Sequence, residues 1–188
     1  MSSIDREYKG FLLRGAMKGK TWGWIVFNKQ KKPVADGEAS SREEADVALT
    51  QAVEQIISTR LASRKNGIPT ADEFRQALDN ALKPNSRLWE MLKAHYKAPG
   101  SKMSSAQLAE AAGFKDFSAT NSQYGKLGRD ICEYLNVNPP GTYPKSGEPL
   151  WITILVKEDT TARDLETDHF LHEMRPEVAQ ALELLGIV

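Results

Sequence analysis

Residues 104–135, SSAQLAEAAGFKDFSATNSQYGKLGRDICEYL, hold two amphipathic segments separated by a glycine stop, and they constrain the fold more than any other stretch. Ser104 or Ser105 is placed to cap the first, because a hydroxyl ahead of a helix accepts from its unpaired first-turn amides. Within AQLAEAAG, Leu108 and Ala112 fall on one face, and Gly113 supplies the left-handed residue that ends a helix. FKDFS then reads as the turn, Ser118 as a second cap, and Ala119 to Leu135 as the second helix. On a 3.6-residue wheel Tyr124, Leu127, Ile131, Tyr134 and Leu135 gather on one side. Ser122, Lys126 and Arg129 lie opposite, flanked by Asn121 and Gly125, with no acidic residue until Asp130 and Glu133.

A helix that reads DNA needs that polar face: amide and guanidinium forks for base edges, cations for phosphates, and small residues where backbones approach. Asn121, Ser122, Lys126 and Arg129 are therefore the candidate reading residues, with Gln123 more lateral, and Lys97, Lys102 and Lys115 are candidate phosphate contacts. Gly125 and Gly128 cost about 1 kcal/mol each relative to alanine inside a helix, which predicts close approach to another backbone, either DNA or another helix of the same fold. The same hydrophobic grammar also builds helical bundles with no nucleic-acid role, so the motif alone leaves both readings open.

The flanking sequence predicts an α+β protein in two units. In residues 1–65, GFLLR (10–14), TWGWIVF (21–27) and VADGE (34–38) are short strands separated by turns. A helix carrying Ala45, Leu49, Ala52, Val53, Ile56 and Ile57 follows, completing a β-β-β-α module. SRKNGIP (63–69) reads as a linker. Residues 66–188 form the second, mostly helical module, winged-helix-turn-helix-like in outline. It opens on a capping box, Thr70 with Glu73, and continues with a helix capped by Ser86 and carrying Leu88, Met91, Leu92, His95 and Tyr96. LWITILV (150–156) has the strongest strand pattern in the chain, and Pro176 opens a last helix that stops at Gly186.

Charge is balanced overall, with 25 basic and 25 acidic residues, but not locally. Residues 1–65 carry 12 basic against 8 acidic, 66–157 carry 11 against 9, and 158–188 carry 2 against 8. Between 83 and 129, 8 basic residues face 3 acidic ones, so positive charge gathers around the paired-helix motif. The acidic run at 158–168 is unsuited to a wing that touches phosphate, and it suggests a basic protein partner instead. A single cysteine, Cys132, excludes an internal disulfide and reads as an apolar filler. With no long apolar run and no leader pattern in MSSIDREYKG, a cytoplasmic protein without membrane contact is expected.

LWEMLKAHYKAP, SSAQLAEAAGFKDFSATNSQYGKLGRDI and MRPEVAQALELLG together resemble an accessory module of bacterial HNH-nuclease and restriction-type defence proteins. The resemblance spans roughly the last hundred residues and implies DNA recognition or surveillance in a bacterial or phage defence or counter-defence setting. It carries no nuclease activity here, because the chain has no His-Asn-His metal motif with its ligands.

Other constellations are weaker. DHFLHE (168–173) spaces His169 and His172 as metal ligands on one helical face, but solvated surface histidines explain it more simply, and no metal is expected. His95, within an apolar stripe, reads as a satisfied buried imidazole. Trp22 and Trp24 either stack on RNA bases or pack on the following helix, the second being favoured. No phosphate-binding loop, dinucleotide fingerprint or nucleophile elbow occurs, so neither catalysis nor a cofactor is expected. The expected function is double-stranded DNA binding without catalysis, the alternative being a protein-binding inhibitor or adaptor that uses 158–168.

Overall fold

The structure, a computed structural model, describes residues 3–157 and 171–188. The acidic run at 158–168 and His169 lie outside the described residues. The chain is mixed α+β and divides into two compact units, Met1–Arg64 and Lys65–Val188.

In the first unit four antiparallel strands follow one another in the sheet: β1 (Ile4–Tyr8), β2 (Phe11–Lys18), β3 (Thr21–Phe27) and β4 (Pro33–Ala39). The sequence predicts three; β1 is the addition. Its IDREY carries three charged residues in five and hides the alternation that buries Ile4. A two-residue turn, Lys9-Gly10, joins it to β2 with both residues at positive φ (48° and 81°), the conformation that suits the twist of a hairpin. Helix α1 (Arg42–Ser63), capped by Ser41, covers one face of the sheet, packing Ala45, Leu49 and Val53 on Ile4, Phe11, Leu13, Trp22 and Val26. Arg6 bonds Asp46 and Thr50, and Tyr8 bonds Glu54, tying β1 to the same helix.

The second unit opens with α2 (Ala71–Ala81), whose Thr70–Glu73 capping box forms as expected, and α3 (Arg87–Lys97), capped by Ser86. A short strand β5 (Lys102–Ser104) leads into α4 (Ser105–Ala111), and α5 (Phe117–Leu135) follows after a turn closed by Gly113 at φ 67°. Strands β6 (Val156–Lys157) and β7 (Leu171–Met174) precede α6 (Pro176–Leu184). The strands form an antiparallel sheet in the order β5-β7-β6. One core joins Phe74, Leu78, Met91, Leu92, Leu108, Tyr124, Leu127, Ile131, Val178 and Leu182.

The expected strand at 150–156 is corrected by the structure. Trp151–Ile154 is a 3-10 turn, and only Val156 and Lys157 are extended. Thr153, Ile154, Leu155 and Val156 are all buried, a continuous run that a half-exposed strand does not produce. The turn is held locally by Thr153, whose hydroxyl donates to the Leu150 carbonyl and accepts from the Gly141 amide, so tertiary fit overrides the β propensity of the segment.

Candidate nucleic-acid interface

Helix α5 starts two residues before the predicted Ala119. Asp116, not Ser118, is its cap: the carboxylate accepts from the Ser118 amide at 2.8 Å. Asp outcompetes the serine because a carboxylate at the N-cap also meets the positive end of the helix dipole. The Ser118 hydroxyl and the amides of Ser118 and Ala119 hold the Asp116 carboxyl below its ordinary range.

Tyr124, Leu127, Ile131 and Leu135 are buried as the wheel predicts, while Tyr134 stays half-buried. Asn121, Ser122, Lys126 and Arg129 are all exposed on α5, and Gln123 is half-buried beside them. Lys97, at the end of α3, and Lys115, in the turn before α5, are exposed. Lys102 is half-buried in β5 and ion-paired to Glu173 at 3.0 Å. Charge on the candidate face is tempered by its own helix: Lys126 pairs with Asp130 at 2.6 Å and Arg129 with Glu133 at 2.8 Å, one turn on in each case.

The two glycines of α5 separate. A Cβ on Gly128 would collide with the Trp151 carbonyl, so this glycine admits the 3-10 turn onto the helix. A Cβ on Gly125 would meet nothing within 4 Å. Only Gly125 is left with an open approach on the polar side.

Behind that side lies a polar network that the sequence does not announce. Ser105, the first residue of α4 and 9% exposed, donates to Asn121 Oδ1 at 2.9 Å and lies 2.9 Å from His172 Nε2. The His172 carbonyl accepts from His95 Nε2 at 2.8 Å, and His95 Nδ1 lies 3.0 Å from the Tyr124 hydroxyl. A carbonyl can only accept, so His95 carries its proton on Nε2 and receives the tyrosine proton on Nδ1. Burial pushes its pKa from 6.5 down to about 4, and it lowers that of His172 as well. Burial raises the Tyr124 hydroxyl in turn.

His95 is thus a satisfied core imidazole, as its place in the stripe predicts. His172 is not the solvated histidine expected: it sits on a strand rather than a helix and faces Ser105. Among the described residues no three His, Cys, Asp or Glu side chains gather as a metal site. Ser105 and His172 are 67 positions apart, and no sequence spacing joins them. Cys132 is buried and its thiol is pushed up to about 12, which suits the filler role.

In the first unit, Trp22 is buried against α1 and Trp24 lies on the same face, beside Gly37. Trp22 is not presented for stacking on RNA, and Trp24 is half-buried. The opposite face of the sheet carries Leu12, Arg14, Ile25 and Phe27. No described helix is long and apolar enough to cross a membrane. Comparison of the chain with protein-family models, with curated proteins and with solved structures yields no match.

Proposed function

We propose that the second unit binds double-stranded DNA as a winged helix, with α5 as the recognition helix. The observation that carries this reading is the order of elements: α3, β5, α4, α5, β6, β7, with the strands paired antiparallel as β5-β7-β6. In that arrangement the second helix of the pair lies in the major groove and the paired strands stand beside it. The exposed Asn121, Ser122, Lys126 and Arg129 supply the base-edge and phosphate chemistry, and Lys97 and Lys115 supply flanking cations. The defence or counter-defence setting rests on the resemblance of 88–99, 104–131 and 174–186 alone.

The test is fluorescence anisotropy with a labelled duplex at 50 and 200 mM salt. Four neutralised phosphates give a slope of log affinity on log salt near −3.6, a loss on the order of 10²-fold across that interval. Lys126→Glu with Arg129→Glu abolishes binding while the circular dichroism melt is retained. Absence of salt-dependent binding at 50 mM sinks the proposal.

One second reading is a protein partner engaged by the acidic run at 158–168, favoured because Lys126 and Arg129 are already ion-paired on α5 and leave that face less cationic than a phosphate array needs. Under that reading charge reversal at Asp159 and Asp164, rather than at Lys126, removes function.

A further inference from the structure

We infer that Asn121 is a specificity-determining residue held with its amide N–H groups outward, so that α5 reads hydrogen-bond acceptors on base edges, and that Ser105 and His172 are the residues that position it. The inference rests on the DNA-binding reading above.

A serine hydroxyl has one proton and two lone pairs, and the side-chain oxygen of asparagine only accepts. The Ser105 proton goes to Asn121 Oδ1, so toward His172 the serine oxygen can only accept, and Nε2 of that ring must carry the proton. The amide is planar. With Oδ1 tied down to Ser105, the NH2 occupies the other arm of the fork, on the exposed side of α5.

Both ends of the relay are fixed. Ser105 is buried at the start of α4, directly after its capping residue Ser104. His172 is paired with Met103 across the sheet, and its carbonyl is gripped by His95. An asparagine free in solvent turns its amide either way and reads donors and acceptors alike. An anchored one presents donors, with its rotamer already chosen before DNA arrives. In the major groove the acceptors are guanine N7 and O6, adenine N7 and thymine O4, whereas the cytosine and adenine amino groups are donors. Of these, N7 is the acceptor that both purines present, so the face at Asn121 selects a purine through N7 and rejects a cytosine amino group.

The experiment is selection of full-length protein on a random-sequence duplex library, followed by anisotropy on the enriched duplex and on a copy carrying a 7-deaza purine at the enriched position. Wild type loses about tenfold on the 7-deaza duplex, within the range of one good base contact. Asn121→Ala shows neither the preference nor the loss. Ser105→Ala keeps the salt slope of wild type but loses the preference at the same position, and Ser105→Thr restores it. His172→Phe behaves as Ser105→Ala, and His172→Gln, which keeps an N–H within reach of the serine oxygen, retains the preference. The histidine variants serve if Ser105→Ala fails to fold.

Two results overturn the inference while leaving DNA binding intact: an unchanged consensus in folded Ser105→Ala and His172→Phe, or indifference of wild type to the 7-deaza base. A wild type that enriches no duplex and binds none overturns the DNA reading itself.

Discussion

At the scale of single residues, the glycines of α5 need opposite explanations. Gly128 is required by the backbone of the 3-10 turn, so Gly128→Ala overpacks a buried contact and is expected to cost about 1–3 kcal/mol in urea unfolding. Gly125 has open space where a Cβ would stand, and Gly125→Ala is expected to stabilise by about 0.5–1 kcal/mol. If α5 lies against DNA, the same substitution lowers affinity for the duplex while raising stability, and anisotropy set beside unfolding separates the two effects. His95 makes a pH prediction. Its folded pKa, about 4, lies below the ordinary 6.5, so between those values the unfolded chain binds more protons than the folded one. The stability it confers is complete above pH 6.5 and is lost as pH falls toward 4, by about 3 kcal/mol in all. Urea titrations from pH 7 to 4.5 should show that fall. In His95→Gln, which keeps a donor for the His172 carbonyl and an acceptor for Tyr124, the fall should shrink, leaving the smaller part due to His172. An unchanged profile in His95→Gln excludes this histidine as the source.

At the scale of elements, the polar face of α5 is tempered by ion pairs within the helix. Its pairs Lys126–Asp130 and Arg129–Glu133 are exposed one-turn contacts that solvent screens, so each contributes little to stability. Removing the acidic partners with Asp130→Asn and Glu133→Gln therefore costs little stability. The released cations meet phosphates more fully, so duplex affinity at 50 mM salt rises and the salt slope steepens. Weaker binding by this variant counts against α5 as the phosphate-facing helix. Helix boundaries and apolar stripes were legible at this scale because caps and 3.6-residue periodicity are local, as at Thr70–Glu73, Ser86 and Gly113. LWITILV misled for the reverse reason. Its residues have β propensity, but Gly128 and the Thr153 hydroxyl decide its conformation, and both act through contacts remote in sequence.

At the scale of the molecule, each unit has its own buried core, Leu13, Val26 and Leu49 in one and Phe74, Tyr124, Ile131 and Leu182 in the other. Residues 65–188 contain every residue assigned to the DNA interface, so that fragment alone is expected to fold and to bind a duplex with the salt slope of the full chain. A shallower slope in the fragment places part of the interface among the basic residues of the first unit. The sequence by itself determined the α+β class, the paired helices at 104–135 and the exposed polar face of α5, because each follows from periodicity and capping within a few turns of chain. Tertiary structure alone decided that Lys102–Ser104 and Leu171–Met174 pair as strands, that Gly128 serves packing, and that Ser105, Asn121 and His172 meet. Those contacts join segments as far apart as Lys102 and Glu173, and the free energy that fixes them comes from burial and hydrogen bonding between elements, which no local pattern records.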